Sequence, residues 1–445
     1  MINLQKLYEG NITKNLIKFS IPLILSSLLS QTHSLVDSVM VSRIAGDSAL
    51  AAIGSTEPLM TLVSSVIWGF GAGSAVYVAQ LFGSGDNKGA VNAVKLVVLL
   101  STAMCALISF LFVAFHDLVF SLLNISGDIE KDALSYYIIY SLGIILLQIN
   151  WAGVYISNAF GVSSMAFTAS VMSCVLNISA NYILIAIADL GVMGAAIGTV
   201  FSALCVTVYY IIKFRSVFKK LGCRMWGISI NKEDIKKACS LGLPNMLQQS
   251  VMYGSTTLIS PLVNSAGASA IAGYTAGMQI YELNAKIYQN SNKTITNYVA
   301  HCMGAKKYDL LSKGIRTGLV MAMCYLAIPL SFTVFASDFV SGIFFGGGSN
   351  PQSLEYASIF MRWCMPFVLF NVVNNLFHAV FRGAGSGKYL VYATVVYALS
   401  RYVYSVALFP QFEMYGIYAA MVLSWITEVI YGTYVYKKGN WRKEI

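Results

Sequence analysis

Residues 91–115 read VNAVKLVVLLSTAMCALISFLFVAF, with a single charge at Lys95. A helix crossing a bilayer needs about 20 predominantly apolar residues, and this stretch supplies them without a break. A barrel strand would alternate apolar and polar positions, and here the apolar positions are continuous. The stretch is typical of the chain, which has 445 residues, 57% of them apolar and 11% charged. Its mean hydropathy is +0.67. Soluble domains carry roughly 25% charged residues, so a water-soluble enzyme is excluded. The composition describes an all-α polytopic membrane protein.

Working outward from 91–115, twelve apolar segments follow one another: 15–43, 50–79, 91–115, 133–158, 163–188, 192–213, 238–264, 270–300, 315–345, 354–381, 389–410 and 415–436. Several exceed 25 residues and must tilt, kink or extend beyond the hydrocarbon. Pro22, Pro58, Pro244, Pro261, Pro329 and Pro366 fall within or near the ends of these segments, as kinked spans permit. The excess of 29 Lys and Arg over 19 Asp and Glu would suggest nucleic acid in a soluble protein. Here it marks loops on one side. The even-numbered connections carry Lys88, then Lys213 through Lys237, then Lys306, Lys307 and Lys313, then Lys388, while the odd-numbered ones carry only Lys131 among several acids. By the positive-inside rule both termini lie in the cytoplasm. The eight Cys have no paired spacing and read as small core residues. No Walker sequence, HExxH or GxSxG is present. Gly69-Phe70-Gly71-Ala72-Gly73 lies inside a span with no preceding strand, where small residues allow close helix packing. Neither an enzyme nor an organic cofactor is expected.

The basic segment 215–237 divides the chain into an N-lobe, 1–214, and a C-lobe, 238–445, each with six spans. The lobes repeat. A shift of 221 residues places Tyr77-Val78-Ala79-Gln80 on Tyr298-Val299-Ala300-His301, and Gly83 on Gly304. A shift of 222 pairs Pro22 with Pro244, Gly161 with Gly383, and Gly194 with Gly416. Six spans per repeat give parallel repeats related by a pseudo-twofold axis along the membrane normal, an arrangement used by alternating-access transporters.

Phe19-Ser20-Ile21-Pro22-Leu23-Ile24, Leu35-Val36-Asp37, Ala49-Leu50-Ala51-Ala52-Ile53-Gly54 and Gln80 with Gly83 resemble the multidrug and toxic compound extrusion (MATE) family. Gly242-Leu243-Pro244 and Arg382-Gly383-Ala384-Gly385 resemble its second-half landmarks. The resemblance covers essentially the whole chain. It implies a cation-coupled exporter of small organic molecules, embedded with its lipids in the bacterial inner membrane and acting as a monomer without nucleic acid. The related lipid-linked precursor flippases share the superfamily and form the alternative. A non-transporting receptor is the reading from another class.

Ionisable groups inside a bilayer are costly and mark candidate sites. Asp37 lies six residues inward from Arg43, Asn181 seven before the end of span 5, and Thr199 seven after the start of span 6. At 1.5 Å per residue all three share one depth, roughly 10 Å below the outer surface. Asn177 lies one turn from Asn181 on the same face. In many bacterial family members the matching Asp, Asn, Asp and Thr form the cation site, so the resemblance assigns cation coupling to Asp37, Asn177, Asn181 and Thr199. The second carboxylate has become Asn181, which removes the like charge that helps a carboxylate pair hold a proton. H⁺ or Na⁺ at Asp37 both remain open, with Asn177, Asn181 and Thr199 as the neutral oxygens of a sodium site. His33, one turn before Asp37, is a proton relay candidate. Under the 222 shift Asp37 falls on Ile259, Asn177 on Leu399 and Asn181 on Val403, so the cluster is not repeated. In another branch of the family a span-10 Asp after an aromatic residue couples transport; here Phe370-Asn371 stands there. The C-lobe instead carries Glu282, Lys286 and Lys293 on one face of span 8, a stripe of Asn371, Asn374, Asn375, His378 and Arg382 in span 10, and Arg401 in span 11. Glu282, Lys286, Lys293, Asn371, Asn374, His378 and Arg401 form the candidate substrate cavity, with a structural ion-pair role as the alternative. Glu57 and Glu428 are further intramembrane acids suited to interhelix bonding.

Overall fold

Long apolar runs leave a chain in lipid one way to satisfy its backbone, which is to close every hydrogen bond within a helix. A computed structural model describes residues 6–45, 47–122, 130–227, 229–344, 351–439 and 441, and among these there is no strand. The helices are α1 (Ile12–Met40), α2 (Asp47–Ser84), α3 (Asn87–Ala114), α4 (Glu130–Ala159), α5 (Ser163–Asn181), α6 (Gly191–Lys220), α7 (Lys232–Ser265), α8 (Ala268–Gly304), α9 (Leu311–Phe335) and α10 (Pro351–Gly383). The last helical stretch, Gly387–Lys438, is broken at Glu413 (φ 47°, ψ −126°) into α11, 387–412, and α12, 414–438. The side chains of Arg43 and Glu57 lie outside what is described.

Among the described residues nine helices are long and apolar enough to cross a membrane, with α11 and α12 counted as one. The two left out, α7 and α8, carry the most polar sequence: cations in the first turns of α7, and Asn290-Ser291-Asn292-Lys293-Thr294 in the middle of α8. Large apolar side chains stand exposed along the spans, such as Phe335 at 89% and Ile328 at 81%. In water such a surface would drive association; against lipid it is the expected exterior.

The chain divides into two compact units. One holds Ile21–Met246 with the residues up to Glu9, the other Leu247 onward with Gly10–Ser20. The first turns of α7 group with the first unit because they pack on α2: Ser74 Oγ donates to Ala238 O at 3.0 Å and Tyr77 Oη to Asp234 Oδ1 at 2.6 Å. The connection between the end of α6 at Lys220 and the start of α7 at Lys232 is accordingly short. In the first unit α4 packs on α2, α3 and α6, with Ile67 of α2, Cys105 of α3, and Tyr137 and Ile144 of α4 buried. In the second unit Phe360, Met361, Tyr418 and Trp425 form the core.

One segment departs from expectation. The run 315–345 is not a single helix: α9 ends at Phe335, Ala336 (φ −105°, ψ 28°) turns the chain, and a short helix Ser337–Phe344 follows. The reason is polar anchoring at the break. Arg362 pairs with Asp338, and its Nε donates to Ser337 Oγ at 2.8 Å.

The glycines that repeat at 194 and 416 now have a shared cause. A Cβ on Gly194 would lie 3.1 Å from Leu184 O, and one on Gly416 2.6 Å from Leu408 O, so in each unit a helix start is pressed against the carbonyl end of the preceding helix. Gly416→Ala should lower the thermal midpoint in detergent by the equivalent of about 1–3 kcal/mol, the usual cost of overpacking. Gly254→Ala, where nothing lies within 4 Å, should leave the midpoint unchanged or slightly raised.

Candidate functional site

The first unit gathers its polar side chains at one place. Asp37 comes from the last turn of α1, Asn177 and Asn181 from one face of α5, and Thr199 from α6. Asn181 Nδ2 donates to Asp37 Oδ1 at 2.9 Å. The Asn177 amide has one terminal atom 2.8 Å from Asp37 Oδ1 and 2.8 Å from His33 Nε2, and the other 3.2 Å from Thr199 Oγ1. His33 Nε2 is 3.4 Å from Asp37 Oδ2. Asn177 and Asn181 are buried, whereas the side chains of His33 and Asp37 keep 21% and 26% of their exposure. The depth match between three separate helices is therefore realised as contact.

The amide of Asn177 carries the chemical information in this cluster. Its atom facing Asp37 is also 2.9 Å from Asn181 Nδ2; oxygen there accepts from Asn181, while nitrogen there donates to an ionised Asp37. Facing a bound cation it presents oxygen, and facing the O–H of a protonated Asp37 its oxygen can accept. A half-turn of this amide lets it serve as donor or acceptor towards the carboxylate. The amide oxygen of Asn181 is buried without a partner and lies where a Cβ on residue 198 would be, so Gly198 is what lets Asn181 reach this position. As a sodium site the donor set is thin. Asn181 turns its nitrogen to the carboxylate, leaving Asp37, Thr199 and a turned Asn177 as oxygen donors.

Two π-helical segments flank the cluster, and nothing in the sequence pointed to them. Val41–Ala45 follows α1, beginning four residues after Asp37, and Tyr182–Ile187 begins directly after Asn181. They pack on each other. Such bulges are common at functional sites because they break the helical ladder locally.

In the second unit the residues in question separate into two sets. Glu282 and Lys286 pair at 3.6 Å and stay about half exposed. Lys293 Nζ donates to Asn290 Oδ1 at 3.0 Å. The others are buried and bonded internally. Asn371 Nδ2 donates to Tyr281 Oη at 2.6 Å and to Tyr288 Oη at 3.2 Å, and Asn374 Nδ2 to Trp425 O at 2.9 Å. Arg401, 3% exposed, donates to Tyr397 Oη at 2.9 Å and to Tyr274 Oη at 3.2 Å. His378 and Glu428, at 7% and 5% exposure, approach to 2.8 Å. Each was singled out in the sequence, and only the parallel packing of α10 with α12 makes them a pair. The positions that would repeat the Asp37 cluster hold buried Ile259 and outward Leu399 and Val403, 61% and 56% exposed. Among the described residues no three His, Cys, Asp or Glu side chains gather for a metal.

Twelve long helices among the described residues, with an acid held by amides in the first unit, define a polytopic membrane transporter. The MatE family model matches residues 22–183 and 244–407, one match in each half. The chain belongs to the MatE family, whose members are transporters. It is similar to "Multidrug export protein MepA" of Staphylococcus haemolyticus (strain JCSC1435), 21% identical over 85% of this chain and 83% of that one. The same-named protein of Staphylococcus aureus (strain MRSA252) is 22% identical over 92% and 89%. Among solved structures, "Outward-facing conformation of a multidrug resistance MATE family transporter of the MOP superfamily" aligns with a TM-score of 0.90 at 20% identity, over 98% of this chain and 97% of that one. "Crystal structure of MATE in the bent conformation" aligns at 0.89 and 21%, over 98% and 96%. The flippase alternative is not favoured by these matches.

The His378–Glu428 contact should carry stability. Replacing Glu428 with Ala strands a buried imidazole, and breaking a buried pair costs about 3–5 kcal/mol. A thermal midpoint many degrees lower is expected for Glu428→Ala. A midpoint within a degree of wild type would show that the pair contributes nothing.

Proposed function

We propose that the chain exports small organic molecules from the cell by alternating access, driven by a proton bound at Asp37. The observation that carries this is the hydrogen-bonded set His33, Asn177, Asp37 and Asn181, in which one amide can accommodate either protonation state of the carboxylate. A gain or loss of that proton changes what α1, α5 and α6 bond to one another, and so biases two packings of those helices. One charge moved across 100 mV is worth about 2.3 kcal/mol, and 1.4 kcal/mol is tenfold. A single carboxylate therefore sustains a gradient of roughly fiftyfold. The proton is preferred over Na⁺ because the imidazole of His33 lies within the same set and the oxygen donors are few.

Export of drug-like molecules is supported by the names of the MepA relatives. Glu282 and Lys286, exposed and inside a span-length helix, are the groups placed to meet a polar part of the substrate. The positive-inside pattern supports a cell membrane location with both termini cytoplasmic.

Purified protein in liposomes, wild type beside Asp37→Asn, tests the reading under separately imposed proton and Na⁺ gradients. Efflux of cationic dyes and zwitterionic compounds should follow the proton gradient in the wild type and fall at least tenfold in Asp37→Asn. Efflux that follows only Na⁺ replaces the proton by sodium at the same site. Full gradient-driven efflux in the mutant removes Asp37 from coupling.

A further inference from the structure

Outside the Asp37 cluster, the first unit holds an open-sided cavity of about 580 Å³ between α3, α4 and α6. The size is that of an ordinary ligand site, roughly 300–1,000 Å³, and its walls are almost wholly apolar. Val98 and Leu99 of α3 form one wall and Ile149 and Ile156 of α4 another. The third is an aromatic run down α6. The rings of Tyr210 and Phe214 stack at 5.8 Å, and those of Phe214 and Phe218 follow at 6.0 Å. Gly153 makes room for this run, since a Cβ there would strike the Tyr210 ring.

One end of the cavity is built differently. The connection after α6 folds back over α3 and is tied there: Asn92 Nδ2 donates to Ser229 O at 2.7 Å, and Ser229 N to Asn92 Oδ1 at 2.9 Å. This brings Met225 and Trp226 to the cavity, with Trp226 84% exposed. Lys95 lines the same end, and its Nζ donates to Gly227 O at 2.6 Å. That bond uses one of three ammonium protons, and among the described residues Lys95 forms no ion pair. From Lys213 to Ile230 the chain carries Lys213, Arg215, Lys219, Lys220 and Arg224 and no acid.

An apolar slot ending in an unneutralised cation beside a basic segment is complementary to one molecular type. It fits an acyl chain attached to an anion at the membrane surface, and basic clusters at the ends of spans attract such headgroups. An exposed tryptophan at that level suits the membrane–water interface. A lipophilic cation would be repelled by the same end, and a zwitterionic lipid would leave the excess positive charge unanswered. We propose that this cavity binds one anionic phospholipid of the phosphatidylglycerol class, with an acyl chain along Tyr210, Phe214 and Phe218 and its phosphate on Lys95, next to the basic segment 213–224. This site is separate from Asp37 and does not depend on the coupling mechanism.

Native mass spectrometry of the full chain in detergent, titrated with phosphatidylglycerol or phosphatidylethanolamine of identical chains, tests it. The wild type should retain one phosphatidylglycerol with about tenfold preference. Lys95→Gln with Arg224→Gln should bring the preference close to one while leaving phosphatidylethanolamine binding unchanged. Val98→Trp, which fills the slot, should reduce binding of both lipids. Equal retention of the two lipids by wild type overturns the proposal. So does a preference that survives the double charge variant, or uptake of tetraphenylphosphonium in place of the phospholipid. Should Val98→Trp fail to fold, Leu99→Trp on the half-exposed wall and the charge variant decide between these outcomes.

Discussion

A polar side chain inside an apolar span has no water to turn to, so it must find another polar side chain or a carbonyl. That constraint organises both units. In the first it draws α1, α5 and α6 together at Asp37, Asn181, Asn177 and Thr199. In the second it joins α10 to α12 through Asn374 with the Trp425 carbonyl and His378 with Glu428, and it surrounds Arg401 with tyrosine hydroxyls. Apolar contacts and the close approaches at Gly194 and Gly416 already favour certain faces. The buried polar bonds add to that preference, because turning a helix away would leave them unmade.

The two units show how duplicated sequence diverges under this constraint. Positions that answer to backbone geometry have been kept: Gly194 and Gly416 each admit a carbonyl of the preceding helix. Positions that answer to chemistry have not. Where the first unit has Asp37, the second has Ile259 in its apolar core, and where the first has Asn177 and Asn181, the second presents Leu399 and Val403 outward. Acid and amides are absent there together, as expected when each is costly in an apolar setting without the others.

Much of the site was legible because depth in a membrane is a one-dimensional coordinate. Counting residues from the ends of three spans placed Asp37, Asn181 and Thr199 at one level, and hydrogen bonds now join Asp37 to Asn181 and, through the Asn177 amide, to Thr199. Rotation about the helix axis is not readable in the same way. Hence Asn371, Asn374, His378 and Arg401, grouped with Glu282 and Lys286 by helical spacing, are turned inward and bonded, while only Glu282 and Lys286 remain about half exposed.

The sequence by itself determined the class of the molecule, the number and order of its spans, its duplication and the acid on which its coupling is proposed to rest. The first three follow from composition, apolar run length and spacing, which are local properties of a chain in lipid. The choice of the acid rests on its depth together with the family resemblance. The tertiary structure alone decided which buried groups meet. It paired His378 with Glu428, seated Asn181 against Gly198, set π-helical segments beside Asp37 and Asn181, and closed the end of an apolar slot with Trp226. Those outcomes depend on how each helix is rotated and how closely its neighbours approach, and neither quantity is written along a single helix.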